Sequence, residues 1–125
     1  MPVKVIDTSA LAAVLFGEPE AVEVASHIRG CSLACPALLP FEIASVCLRK
    51  IRQHRSQRSS LLAAFELLGR MEIAQTAVDL SEAIVLAEKK KLTVHDATYP
   101  WLAEKLRAEL VTLDKTLAKA AAEAS

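Results

Sequence analysis

The sequence predicts an α/β protein with a central, mainly parallel sheet that is covered by helices on both faces. Short apolar runs rich in β-branched residues alternate along the chain with longer segments in which apolar residues recur at helical spacing. Strands separated by helices are joined by parallel crossovers, and such sheets are buried on both sides. The 125 residues are enough for one domain, so we expect a single unit over residues 1–125.

The first half of the chain predicts two strands and four helices. "VKVI" is the first strand, and "TSALAAVLF" and "EPEAVEVASHIRG" follow as helices, the second ending at Gly30. "CSLAC" predicts a short buried strand. A long helix should begin near Ala37, and "SSLLAAFELLGR" predicts another helix with serine caps. The long helix is predicted by apolar residues at helical spacing: Leu39, Ile43, Val46, Cys47 and Ile51.

The second half predicts two strands and three helices. "MEIAQ" is a strand, and "DLSEAIVLAEKKK" is a helix with Asp79 at the N-cap and Glu82 three residues later. A further helix covers about Asp96 to Ala108. "ELVTL" is the fourth strand, and "KTLAKAAAEA" closes the chain as a helix. The alternation of strands and helices therefore continues to the end of the chain.

Composition excludes several classes of protein. Fifteen basic residues balance fifteen acidic ones, so the chain is not a polycation that coats nucleic acid. No stretch approaches the roughly 18 apolar residues of a membrane span, and "MPVKVIDTSA" lacks the features of a secretory signal, so we expect a cytosolic protein. No G-x-G-x-x-G motif is present, which excludes the usual dinucleotide-binding fingerprint. The odd cysteine count without C-x-x-C spacing predicts reduced thiols: Cys31, Cys35 and Cys47.

Four acidic residues should meet at one edge of the sheet. Asp7 and Asp114 directly follow predicted strands, whereas Glu42 and Asp96 lie in the early turns of predicted helices. In an open parallel sheet, the carboxyl ends of strands and the amino ends of the following helices share the edge where ligands bind. We therefore expect all four carboxylates at that edge.

A single acid at a helix start is explained by capping and by the helix dipole. Four converging carboxylates repel one another and raise each other's pKa unless a cation lies between them. Oxygen ligands favour Mg²⁺ or Mn²⁺, and such an ion supports hydrolysis of phosphodiesters. The hydroxyls of Thr8, Ser9 and Thr112 are close enough in sequence to orient a carboxylate or a water, although such residues are more often caps.

The segments "VIDTSAL", "PALLPFEIASV", "LTVHDATYPWLAEKL" and "LVTLDKTLAKAA", in this order and spacing, resemble the PIN domain, and most closely its VapC-type toxins. The resemblance implies a three-layer α/β/α sandwich around a sheet of four or five strands. It also implies an endoribonuclease that uses Mg²⁺ or Mn²⁺ to cut tRNA, rRNA or mRNA. The catalytic and metal-binding acids would be Asp7, Glu42, Asp96 and Asp114, with Thr112 as an active-site hydroxyl.

The resemblance further implies a homodimer that is neutralised by a small VapB-like antitoxin whose C-terminal segment covers the active-site groove. Near the third acid, two positions depart from the family pattern, and Pro40, just before Glu42, raises the same question about where its helix begins. His95 stands where an aromatic residue often precedes the third acid. Pro100 falls in the first turns of the predicted helix, where it should alter how Asp96 is presented.

A local basic cluster predicts contact with RNA. On a helix that starts near Glu42, it would lie about 10 to 25 Å from the acids, within reach of phosphates flanking the cut. A solvated helix end explains the cluster almost as well. Its members are Arg49, Lys50, Arg52, Arg55 and Arg58.

Two other functions are compatible with these motifs. One is a PIN-fold nuclease that processes RNA or DNA in housekeeping, without a toxin role. The other is a catalytically idle PIN-fold module that binds a regulatory protein. The four intact acids argue against the idle module.

Overall fold

The computed structural model describes residues 1–123 and confirms the predicted α/β class. Its sheet has four strands in the order β3-β2-β1-β4, and every neighbouring pair is parallel. The strands are short, and the fourth ends before Thr112, two residues earlier than predicted. Their bounds are β1 Val3–Ile6, β2 Ser32–Pro36, β3 Ile73–Thr76 and β4 Glu109–Val111.

Helices connect the strands at each predicted place. Short 3₁₀ turns, Arg55–Gln57 and Leu67–Arg70, precede and follow the fourth helix. Ala124, the last residue of the predicted final helix, lies outside the described residues. Across residues 1–123, each helix is too short or too polar to cross a membrane. The bounds are α1 Thr8–Leu15, α2 Ala21–Ile28, α3 Leu39–Gln53, α4 Arg58–Glu66, α5 Leu80–Lys90, α6 Val94–Leu106 and α7 Lys115–Glu123.

The central strand β1 runs through the hydrophobic core. Its Val5 and Ile6 are fully buried, and they belong to a cluster with residues of α1, α3 and α6. Because β1 lies between β2 and β4, the residue that follows it enters the interior rather than the surface. Asp7 is that residue, and only 3% of it is exposed.

Helix α6 begins two residues earlier than predicted. The Thr93 hydroxyl accepts a hydrogen bond from the Asp96 backbone N–H at 3.0 Å, which makes Thr93 the N-cap and Val94 the first helical residue. Pro100 is therefore the seventh residue of the helix, buried and inside it. It has no N–H to donate to the carbonyl of Asp96, yet the helix continues to Leu106.

Helix α3 begins at Leu39 rather than near Ala37. Pro40 is its second residue, where a backbone N–H would have no partner within the helix, so proline suits this position. Glu42 is thus the fourth residue of α3.

The three cysteines are free thiols, as predicted. Cys35 and Cys47 are buried, whereas Cys31 is half-buried. Burial raises the pKa of Cys35 to about 11 and also raises the pKa of Cys47, so these thiols stay protonated and unreactive at neutral pH.

Candidate active site

A cleft of about 450 Å³ lies at the predicted edge of the sheet. Asp7 reaches it from the end of β1, Glu42 from α3, Asp96 from α6 and Asp114 from the turn between β4 and α7. The four predicted acids therefore meet in one cleft, although they come from four separate segments. Two acids that sequence reasoning did not single out also line it: Glu18 and Glu20.

Asp7 is the most buried of these carboxylates. Its Oδ1 accepts hydrogen bonds from the Ala10 backbone N–H at 3.0 Å and from the Ser9 hydroxyl at 2.7 Å, and its Oδ2 accepts one from Thr112. Burial raises the pKa of Asp7 above its ordinary value; the charge of Asp114 adds to the rise, and the three hydrogen bonds oppose it. The fold therefore disfavours the charged form of Asp7, and a bound cation would offset that cost.

Two hydroxyls join the strand end at Asp7 to the turn that carries Asp114. Thr112 donates to Asp7 and accepts from the Asp114 backbone N–H at 3.0 Å. Ser9 donates to Asp7 and accepts from the Leu113 backbone N–H at 2.9 Å. Thr112 and Ser9 thus orient Asp7, as the sequence allowed, whereas Thr8 has a different partner.

Asp114 and Asp96 keep oxygens that face no donor. Oδ1 of Asp114 caps α7 by accepting from the backbone N–H groups of Thr116 at 2.8 Å and Leu117 at 3.1 Å. Within residues 1–123, neither Oδ2 of Asp114 nor either carboxylate oxygen of Asp96 receives a hydrogen bond or ion pair. These oxygens are open to a ligand in the cleft.

Glu42, in contrast, is held on both oxygens. Oε1 accepts a hydrogen bond from the Tyr99 hydroxyl, and Oε2 lies 3.1 Å from Nε2 of His95. The Tyr99 hydroxyl also lies 2.9 Å from the hydroxyl of Thr8. Tyr99 is only 2% exposed, so it packs in the core rather than offering a face to a base.

The sequence places Tyr99 near the predicted site with packing as its default role, and it predicts no contact with Glu42. The available signal was its position three residues after Asp96 in a helix, because residues three apart lie on the same face. The identity of its partner had no signal in the sequence, since Glu42 is 57 residues away.

The donor set suits a hard divalent cation. The acids of the cleft offer carboxylate oxygens, and neither His nor Cys is among its lining residues. As they stand, no three His, Cys, Asp or Glu side chains of residues 1–123 are close enough together to hold an ion. Mg²⁺ is commonly bound through one or two carboxylates and keeps several waters, so the open cleft fits its chemistry without three direct contacts.

The structure divides the basic cluster. Arg49 lines the cleft, is exposed and has no hydrogen-bonding or ionic partner among the described residues. Lys50 is engaged elsewhere, because its ammonium lies 2.8 Å from a carboxylate oxygen of Glu18 and 5.7 Å from the ring centre of Phe16. The remaining members are exposed but do not line the cleft: Arg52, Arg55 and Arg58.

Trp101 lies outside the cleft. Its indole N–H donates to a carboxylate oxygen of Glu82 at 2.9 Å, and the Lys105 ammonium lies 5.8 Å from its ring centre. These contacts give Trp101 a packing role between α5 and α6.

Comparison with known proteins bears on the family and the fold of this chain. The family model of the PIN domain matches residues 4–123. Ribonuclease VapC3 of Pyrobaculum aerophilum is 31% identical and is aligned over 92% of this chain and 92% of its own length. The crystal structure of PAE2754 from the same organism shares the fold, with a TM-score of 0.74 over 95% of this chain and 84% of that chain at 22% identity.

Proposed function

The chain belongs to the PIN domain family, and on that premise we propose that it is a VapC-type toxin, an endoribonuclease that hydrolyses RNA with Mg²⁺ or Mn²⁺. One observation carries the proposal: four acids from four separate segments line a single cleft. The 31% identity to a ribonuclease over nearly the full length of both chains supports the same activity.

In this proposal, Asp7, Glu42, Asp96 and Asp114 would hold the metal, one or two of them directly and the others through waters bound to the ion. When bound, the ion supplies an activated water and neutralises charge on the scissile phosphate. Thr112 and Ser9 fix the orientation of Asp7 through their hydrogen bonds, so that the buried carboxylate presents a defined edge to the cleft. Asp96 and the outer oxygen of Asp114 supply the unengaged donors.

Arg49 is the basic residue that we propose contacts the substrate first. It lies seven residues after Glu42 on α3, which is about 10 Å along the helix axis. An RNA phosphate at about that distance from the acids would therefore lie within reach of Arg49. Lys50 does not line the cleft and is paired with Glu18, and Arg52, Arg55 and Arg58 would contact more distant phosphates.

Arg49→Ala is expected to weaken RNA binding about tenfold. The slope of the logarithm of affinity against the logarithm of salt concentration should fall by the amount that corresponds to about one phosphate contact. Arg58→Ala is the matched control, because Arg58 is also exposed but does not line the cleft. Fluorescence anisotropy with a labelled single-stranded RNA, measured on the Asp96→Asn background to prevent cleavage, gives both quantities. Equal losses in the two variants would contradict a special role for Arg49.

The toxin role predicts that the chain arrests growth when it is expressed alone, and that a VapB-like antitoxin relieves the arrest. The chain carrying Asp96→Asn is the control and should be harmless. Sequencing of RNA 5′ ends after induction should show new ends at defined sites in tRNA, rRNA or mRNA. Normal growth together with RNA cleavage in vitro would favour the housekeeping nuclease. Normal growth without RNA cleavage in vitro would favour the idle binding module.

We further propose that the protein is a cytosolic homodimer. The exposed apolar side chains are compatible with protein contacts, among them Phe41, Leu48, Leu80 and Ile84.

A further inference from the structure

Tyr99 connects three elements around the cleft. It lies on α6, and its hydroxyl contacts Thr8 at the start of α1 and Glu42 on α3. A phenol is neutral at pH 7, so the Tyr99 hydroxyl is able to donate a hydrogen bond. Its ring belongs to the core, which fixes the position of the hydroxyl.

The Tyr99 hydroxyl has one more hydrogen-bond partner than its burial in the core requires. A buried tyrosine needs some hydrogen-bond acceptor, and Thr8 alone would satisfy it. In addition to its contact with Thr8, the hydroxyl donates to the carboxylate of Glu42, which makes a stronger, charge-assisted hydrogen bond. With His95 near the other oxygen, this bond holds Glu42 in one orientation, whereas the carboxylate of Asp96 accepts no hydrogen bond from a side chain of the described residues.

We propose that Tyr99 is a positioning residue that fixes the Glu42 carboxylate at the cleft and ties it to the start of α1, next to Asp7. This inference rests on the proposed metal-dependent nuclease function. Glu42 can adopt several rotamers, so a carboxylate held in advance loses less freedom when a cation or its bound waters arrive. Hydroxyl partners of this kind commonly affect metal affinity by about 10- to 100-fold.

Tyr99→Phe tests the proposal, because it removes the hydroxyl and keeps the buried ring. Thr98→Val is the matched control: Thr98 is 1% exposed on the same helix, and its hydroxyl donates at 2.7 Å to the His95 carbonyl rather than to a carboxylate. The first readout uses no RNA. The Mn²⁺ affinity is measured from the rise in Tm during a titration with Mn²⁺. It should be about tenfold weaker for Tyr99→Phe and unchanged for Thr98→Val.

The second readout separates positioning from substrate binding. With a fluorogenic RNA oligonucleotide at saturating Mn²⁺, Tyr99→Phe should lower kcat by about 10- to 100-fold and leave KM within about threefold. On a Glu42→Gln background, the same substitution should have less than about a twofold further effect on Mn²⁺ affinity, because Tyr99 acts through that carboxylate.

If Tyr99→Phe keeps the Mn²⁺ affinity and the kcat of the wild type, the proposal is overturned and the hydroxyl has a role in packing alone. Full additivity with Glu42→Gln would overturn it as well. A failure of the proposed function would look different. In that case the wild-type protein itself would neither gain stability from Mn²⁺ nor cleave RNA, and both proposals would be overturned.

Discussion

Asp7→Asn is expected to abolish RNA cleavage and at the same time to stabilise the fold. Asparagine can keep the local contacts, since its Oδ1 can accept from Ser9 and Ala10 and its amide can donate to the hydroxyl of Thr112. The substitution removes a buried negative charge that burial and Asp114 disfavour. We expect the free energy of unfolding to rise by about 1 kcal/mol at pH 7, or about 3 to 5 °C in Tm.

The pH dependence of this gain has a definite sign. Asp7 has a higher pKa in the folded protein than in the unfolded chain, so its cost to stability appears as the pH rises through the folded pKa. The difference in Tm between Asp7→Asn and the wild type should therefore be largest near pH 7 and shrink toward pH 4, as the wild-type carboxyl group takes up a proton. Thermal denaturation across this range measures it.

Asp79→Asn is the matched control. Asp79 also caps a helix, accepting from the Glu82 backbone N–H at 3.0 Å, but it is exposed and lies outside the cleft. Asparagine caps as well as aspartate, so the free energy of unfolding should change by less than about 0.5 kcal/mol and cleavage should be unaffected. Asp7→Asn should instead lower kcat by more than about 100-fold, since even indirect partners of a metal cost about 10- to 100-fold. An Asp7→Asn variant that is less stable than the wild type at pH 7 would contradict the assigned cost of the buried charge.

Removal of divalent metal is expected to abolish cleavage completely. The acids that line the cleft repel one another, and hydrolysis of a phosphodiester by this set of side chains depends on a cation to counter that charge. Treatment with EDTA followed by dialysis should leave a folded, inactive protein, and Mg²⁺ or Mn²⁺ should restore cleavage. The same concentration of EDTA already loaded with Mg²⁺ is the control for effects of the chelator itself.

Stability provides an independent measurement of metal binding. A ligand that binds only the folded state at 100 times its Kd stabilises it by about 2.7 kcal/mol, so saturating Mn²⁺ should raise the Tm of the wild type by several degrees. Asp96→Asn should lose most of that rise, because Asp96 has both oxygens available in the described structure. Cleavage that persists in EDTA would rule out the metal-dependent mechanism.

Local patterns made much of the fold predictable. Each predicted strand and helix is present, because apolar periodicity and capping residues act over a few neighbouring positions. The errors lie at element ends. Helix α6 begins at Val94 rather than Asp96 because the Thr93 hydroxyl caps it, and β4 ends at Val111, which pairs with Ile6, the last residue of β1.

The basic cluster marks the limit of such reasoning. Five cations in ten positions looked equivalent in the sequence, but helix geometry turns Arg49 toward the cleft and Lys50 toward Glu18. Adjacent residues on a helix point in different directions, so their partners depend on which elements pack beside each face.

The sequence by itself determined the α/β class and the placement of four acids at strand ends and helix starts, because both follow from local patterns and from the polarity of a parallel sheet. Only the tertiary structure decided which groups bind those acids. Thr112 holds Asp7 across 105 residues and Tyr99 holds Glu42 across 57, and contacts of that range exist only once the strands are paired and the helices are packed against them.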